Sequence, residues 1–233
     1  MMQRWSAQTI AFLRDAADYG EYHQQLAAHL LPYLPRDGHI CDAGCGTGDL
    51  SLELAKHCRR VTAVDQSEAA IHALKKRGCP ENLQPICADI FLMQAHYDAM
   101  VFCYFGRISE VLSLARQQCG GTVIFAKRNC NEHRFSVGKA PYQHFTQNTA
   151  DLLRENRIPF QRESLSLEFG QPFRSMEAAL EFFRLYNRSE QDVSASVIAP
   201  RLVETEQSEF PLYLPMKREM ELFIFQAGEA RSI

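Results

Sequence analysis

The chain has 233 residues, 46% of them hydrophobic and 23% charged, with a formal net charge of −3. That length supports one generous α/β domain whose core needs no disulfide staples. The mild acidity weighs against a nucleic-acid backbone as the main partner, and no apolar run approaches the roughly 20 residues of a membrane span.

Residues 6–33 read as helical: Phe12, Leu13, Ala16 and Ala17, then Leu26, Leu30 and Leu31, recur at helical spacing, and Gly20 splits the stretch in two. Pro35-Arg36-Asp37-Gly38 is a turn. The short run from His39 to Ala43 ends in Gly44-Cys45-Gly46-Thr47-Gly48, and Asp49 to Lys56 continues as a helix. Val61 to Asp65 is the next strand, after which Ser67 caps a helix through Lys76. Leu83 to Ala88 is a third strand ending at Asp89, Tyr97 to Cys103 a fourth, and Gly121 to Ala126 a fifth, with a helix from Ser109 to Gln118 before it. Strands and helices alternating over short connections predict βαβ units and a parallel sheet.

The rhythm changes after residue 127. Lys127 to Phe145 is polar and dotted with aromatics, and reads as a loop. Thr149 to Asn156 is helical, Phe160 to Phe169 alternates as a strand, and Met176 to Tyr186 is an apolar helix. Residues 187–216 are less regular and carry Pro200, Pro211 and Pro215; Glu219 to Phe225 closes as a strand. A helical insertion therefore separates the last two strands.

Of the eight cysteines, Cys41, Cys87 and Cys103 sit in strand-like runs and Cys119 precedes a glycine pair. None has framework spacing, and Met1 to Ala7 lacks the apolar stretch of a signal peptide, so reduced thiols in the cytoplasm are expected. Cys41 and Cys45 lack a third cysteine at position 48, which is Gly, and Cys130-His133 has no second pair of metal spacing; no metal is expected.

The densest signal is the glycine loop. Glycines at a strand-to-helix turn let the backbone approach a ligand, with N–H groups pointing outward at the helix start. The dinucleotide fingerprint G-x-G-x-x-G would put its third glycine at position 49, which is Asp. Instead the pattern is G-x-G-x-G, and Asp65 ends the next strand, where a carboxylate can accept from ribose hydroxyls.

These residues resemble the class I (Rossmann-like) methyltransferases that use S-adenosylmethionine (SAM). The resemblance is carried by Asp42-Ala43-Gly44-Cys45-Gly46-Thr47-Gly48, Asp65, Cys87-Ala88-Asp89-Ile90 and Tyr97-Asp98-Ala99-Met100-Val101, within roughly residues 35–127. It implies an α/β fold: a mostly parallel seven-stranded sheet with helices on both faces, an N-terminal helical lid and a helical insertion between the last two strands. One domain would span 1–233, with N-terminal helices to 34, a SAM-binding core over 35–127 and a substrate side over 128–233. It implies SAM held by Asp42, Gly44, Cys45 and Gly46 at the methionyl end, by Asp65 and Gln66 at the ribose, and by Asp89 and Ile90 at the adenine, with Cys103 and Tyr19 beside it.

A small-molecule acceptor would then meet Tyr104, Phe105, Arg107, Lys127 and Arg128. Tyr104, His133 and His144 are the candidate bases, needed only if the acceptor is protonated. No D/N-P-P-Y/F segment and no Pro-Cys is present (Cys79-Pro80 runs the other way), which favours a small molecule over DNA. Two other readings stay open: a nucleotide-cofactor oxidoreductase on the same strand-loop-helix, and a SAM-binding protein of this fold without turnover. The oligomeric state cannot be read from the sequence.

Overall fold

The computed structural model describes residues 5–129, 133–140 and 146–229. Helices α1 (Ala7–Tyr19) and α2 (Tyr22–Leu30) come first. Ser6 caps α1 in a reciprocal box with Thr9, and Gly20 ends it in extended conformation, as the sequence predicts. The Rossmann-like core follows: β1 (His39–Ala43), α3 (Asp49–Ala55), β2 (Arg60–Asp65), α4 (Glu68–Lys76), β3 (Leu83–Cys87), β4 (Tyr97–Cys103), α5 (Ile108–Gln118) and β5 (Cys119–Arg128). In α4 the Ser67 side chain accepts from the Ala70 N–H, Glu68 sits in the first turn and Lys75 and Lys76 in the last, matching the helix dipole at both ends.

After α6 (Thr146–Glu155) the chain runs through β6 (Phe160–Glu168), β7 (Gln171–Phe173), α7 (Met176–Tyr186), α8 (Ala195–Ile198), β8 (Val203–Glu204), β9 (Leu212–Leu214) and β10 (Lys217–Gln226).

Seven strands form one sheet in the order β3-β2-β1-β4-β5-β10-β6. Neighbours from β3 to β5 are parallel, and β10 is antiparallel to both β5 and β6. Ala43 lies opposite Val64, Asp65 opposite Cys87, and Asp42 opposite Val101, so the carboxyl ends of β1 to β4 share one edge. The order reverses between β1 and β4, and open α/β sheets bind ligands at that kind of switch point.

Each face of the sheet is covered by apolar side chains. Ile40, Ala63, Val101, Ile124 and Leu222 meet Leu26 and Leu30 of α2 and Leu54 of α3 on one side. Cys41, Phe102, Phe125 and Phe223 meet Val111 and Leu114 of α5 and Leu153 of α6 on the other. Burying a side chain of this size contributes about 1.5–3 kcal/mol.

Three features differ from the sequence reading. β5 runs through Lys127 and Arg128, which are strand residues rather than loop, because Glu221 and Met220 of β10 pair with them. α6 starts at Thr146, ahead of Thr149. The irregular 187–216 stretch holds α8, β8 and β9, and β7-β9-β8 make a separate three-stranded antiparallel sheet.

That small sheet and α7 receive α1. Phe12 packs edge-on against Phe173 and Phe182, Gln171 donates to the Phe12 carbonyl, and Arg174 pairs with Asp15. Among the described residues, no helix is long and apolar enough to cross a membrane.

Candidate functional site

The loop between β1 and α3 turns on three glycines with positive φ: Gly44 at 72°, Gly46 at 57° and Gly48 at 73°. Side chains rarely adopt this region, and here the space is closed to a Cβ as well. One on Gly44 would strike the Phe105 ring, one on Gly48 would strike Leu74, and one on Gly46 would lie 2.8 Å from the Trp5 ring. The N–H groups of Gly44 and Cys45 donate to the Val64 carbonyl, fastening the loop to the end of β2.

Asp65 completes the turn. One carboxylate oxygen accepts from Gly46 N–H at 2.9 Å and the other from Ser67 N–H at 2.9 Å. Each oxygen keeps a lone pair for a further donor, and the residue is only partly buried.

Asp42 is different: it is buried and accepts from Ser51 Oγ at 2.5 Å, tying β1 to the first turn of α3. Burial, together with the neighbouring Asp65 charge, pushes its carboxyl up to about 6 against the opposing Ser51 bond. Asp42 therefore shapes the loop from beneath. Cys45 is half-buried behind it, and its thiol is raised well above the ordinary range by burial.

Asp49 stands where a dinucleotide loop would carry its third glycine. It accepts from Thr47 Oγ1 at 2.5 Å and pairs with Arg77, whose other nitrogen meets Asp18 of α1 at 2.6 Å. A buried carboxylate with two donors leaves no room for close backbone approach at this position, which separates the loop physically from the G-x-G-x-x-G geometry.

Further along the same edge, the Ala88 N–H donates to the Asp65 carbonyl, and Asp89 is exposed, accepting from Phe91 N–H at 3.0 Å. Ile90 is buried in the core beneath it. Gln66 is exposed beside Asp65. After β4, Cys103 is half-buried with its thiol pushed up to about 12, chiefly by burial. Tyr104 follows with φ of 58°, a costly conformation for a tyrosine. Its N–H donates to the Ala126 carbonyl, and its hydroxyl shares a 2.9 Å hydrogen bond with the Tyr22 hydroxyl of α2.

The chain is similar to known proteins in sequence and in fold. Residues 40–120 match a family model described as a methyltransferase domain. YqeM of Bacillus subtilis, a protein named for methyltransferase activity, is 30% identical over 95 residues, which are 39% of this chain and 37% of that one. The aligned segment thus covers little more than a third of that relative's length.

Among solved structures, the precorrin-8w decarboxylase of Methanobacterium thermoautotrophicum has a TM-score of 0.51 at 18% identity, covering 87% of this chain and 88% of that one. The magnesium protoporphyrin IX methyltransferase (ChlM) of Synechocystis PCC 6803, with bound SAH, has a TM-score of 0.52 at 14% identity, covering 96% and 89%.

Residues 40–120 are similar to a methyltransferase domain.

Around this domain the other expected residues separate into groups. Phe105 lies against Gly44, as noted, and Arg128 sits over the Tyr104 ring at 5.2 Å. Lys127 instead donates to the Gly106 carbonyl and lies over Phe125, so its ammonium braces the turn after β4. Arg107 is exposed at the start of α5, where its N–H donates to the Glu110 carboxylate. Tyr19 stacks on Tyr213 at 5.0 Å and meets Phe210 edge-on, which places it against the small sheet.

Of the candidate bases, Tyr104 has its hydroxyl raised well above its ordinary range by burial. His133 shares its Nδ1 with Ser136 Oγ at 2.9 Å and is drawn down to about 4 by burial and then by Arg188 and Arg128. His144 lies outside the described residues.

Two residues at the site escaped the sequence reading. Trp5 was invisible because only the tertiary fold brings the start of the chain to Gly46. Arg218 was hidden in the polar start of β10; its guanidinium lies 3.9 Å from the Phe169 ring centroid, 5.2 Å from Tyr22 and 5.7 Å from Tyr104. A cation four residues ahead of the apolar run from Leu222 to Phe225 was the available signal.

Proposed function

We propose that this chain transfers the methyl group of SAM to a small-molecule acceptor held against the ends of β4 and β5. The observation that carries the reading is the left-handed glycine loop closed by the partly exposed Asp65 carboxylate at the point where the strand order reverses.

The residues present fit SAM. Asp65 has acceptor capacity for ribose hydroxyls, and the exposed Asp89 has it for the adenine amino group. Gly44 and Gly46 turn the backbone in the left-handed region, with the Phe105 and Trp5 rings packed where a Cβ would stand. Bound SAM supplies an electrophilic methyl on a sulfonium whose leaving group is already good. The chain's work is to bind, align and exclude water. Phe105 and Trp5 put aromatic faces beside the loop, where a sulfonium cation is stabilised.

Tyr104, neutral and anchored to Tyr22, can donate to an acceptor oxygen and fix its orientation. His133 is neutral at physiological pH but a weak base, and suits an acceptor whose lone pair is already free.

A small molecule is favoured over a nucleic acid because the whole chain is acidic, with a formal net charge of −3. ChlM is, by its name, a methyltransferase of a small molecule. The oxidoreductase reading is disfavoured by Asp49, whose pairing with Thr47 and Arg77 fills the third-glycine position. We read residues 1–233 as one domain, and its seven free cysteines among the described residues fit a reducing, cytoplasmic compartment.

The test is transfer of isotope-labelled methyl from SAM across a panel of small acceptors, wild type beside Asp65→Ala. Label in product with wild type and its loss in the variant supports the reading. SAM binding with no product from any acceptor class would favour the non-catalytic binder.

A further inference from the structure

We propose that the pocket beside the end of β5 binds an oxyanion, carboxylate or phosphate, carried by the methyl acceptor. Naming the acceptor as the bearer rests on the function proposed above; the anion site stands on its own geometry.

The cavity has a volume of about 400 Å³, and its wall includes Arg134, Arg201, Lys217, Glu219, Leu214 and Met216. Three cations thus face one carboxylate. Glu219 does not neutralise them: it reaches only Arg134, at 3.9 Å, and its side chain is more than half exposed.

Arg201 is the least compensated. Its guanidinium donates to the backbone carbonyls of Ser136 at 2.8 Å and Arg134 at 2.5 Å and stacks over the Phe183 ring at 4.7 Å. No carboxylate pairs with it among the described residues. Burial draws its pKa down, the direction expected of a charge short of a counter-ion.

Lys217 has no ion pair among the described residues either; Glu168, the residue opposite it in β6, accepts on one carboxylate oxygen from the Tyr213 hydroxyl at 2.7 Å and the Met216 N–H at 3.0 Å.

Positive charge held half-buried without an acid is costly and is relieved by an anionic ligand. A guanidinium fork matches carboxylate and phosphate geometry in particular. The volume exceeds that of a single ion and falls in the range of pockets for small organic molecules, roughly 300–1,000 Å³. The apolar Leu214 and Met216 give such a molecule's carbon skeleton a surface.

Position links the pocket to the methyltransferase site. Asn129, just past β5, donates its N–H to the Glu219 carbonyl at 2.9 Å. The next residue, Met220, pairs with Arg128 and receives the Tyr104 hydroxyl at 3.5 Å. An acceptor anchored by its anion at Arg134, Arg201 and Lys217 therefore extends toward Tyr104, at the end of β4. Arg128 and Arg218, both over the Tyr104 ring, continue the positive potential along that route.

The experiment is calorimetric titration of the full chain with citrate as carboxylate probe and inorganic pyrophosphate as phosphate probe, with SAM titrated separately on the same preparations. The expected result is saturable binding of one or both probes, weakened about tenfold or more in Arg134→Gln and in Lys217→Gln, with SAM affinity unchanged. The probe that binds more tightly names the class of anion. Lys217→Gln alters an exposed side chain, so it remains informative even if an arginine variant misfolds.

Absence of saturation by both probes on the wild type overturns the proposal, as does equal binding by the variants. Displacement of the probes by a single-stranded RNA oligonucleotide that binds more tightly than either also overturns it, in favour of a nucleic-acid surface. Probe binding by a wild type that fails to bind SAM keeps the anion site and removes the methyl acceptor as its occupant.

Discussion

On either side of β4 the carboxyl edge of the sheet is built from different materials. Toward β1 and β2 it is made of backbone and acids: three glycines in the left-handed region, and Asp42, Asp49 and Asp65, each held by donors from the chain itself. Toward β5 and β10 it is made of long cations laid on aromatic rings, with Arg128 and Arg218 over Tyr104 and Arg201 over Phe183. The first side is a rigid receptacle, since a glycine turn fixed by paired carboxylates has one shape. The second is a set of arginines on rotatable stems, suited to a ligand defined by charge. A constant cofactor and a specific acceptor make those two demands on one sheet edge.

The comparison breaks most sharply at the glycines. Gly44→Val forces a β-branched side chain into positive φ and into the Phe105 ring, and is expected to cost about 2–4 kcal/mol of stability and to abolish SAM binding. Thermal unfolding and titration report the two effects. Arg218→Gln, on the other side, should leave SAM affinity intact while weakening the acceptor.

Next in size is Arg77→Ala. It leaves the buried Asp49 without its cation and frees Asp18 of α1, and because Arg77 is a quarter exposed the loss is set at the lower end for buried pairs, about 3 kcal/mol in a denaturant melt.

Asp42 sharpens the acid side through pH. Burial pushes its folded carboxyl up from the ordinary aspartate range to about 6, so between about pH 4 and 6 the folded chain retains a proton that the unfolded chain has released. Stability therefore falls as pH rises through that window, by about 2–3 kcal/mol. Asp42→Asn should flatten this slope, and parallel melts at pH 4 and pH 7 measure the difference.

The smallest expected effect is Lys127→Met. Losing the brace to the Gly106 carbonyl costs about 1 kcal/mol and should lower methyl transfer more than SAM affinity, because the turn it holds presents Tyr104 and Phe105.

The two sides also differed in how readily the sequence disclosed them. β1 to β5 announce themselves as short apolar runs between helices, and the glycine loop encodes its own conformation, because positive φ selects glycine locally. The small sheet was missed because β7, β8 and β9 have two or three residues each, too few for a period of two to register. Lys127 and Arg128 read as loop because their strand character comes from pairing with β10, more than 90 residues away. The same non-local origin hid Trp5 beside Gly46 and Arg201 beneath Arg134. Local rules reach a site built from backbone; a site assembled from side chains of distant segments lies beyond them.

Calorimetric titration of the intact chain with SAM, its demethylated product and NADH, on wild type and on Asp65→Ala, tests the central claim most directly. SAM and its product should bind saturably, the substitution should weaken both by about 10- to 100-fold, and NADH should give no signal. Absence of SAM binding once co-purified ligand is removed, or SAM affinity indifferent to Asp65, would contradict the assignment of the glycine loop to a methyl donor.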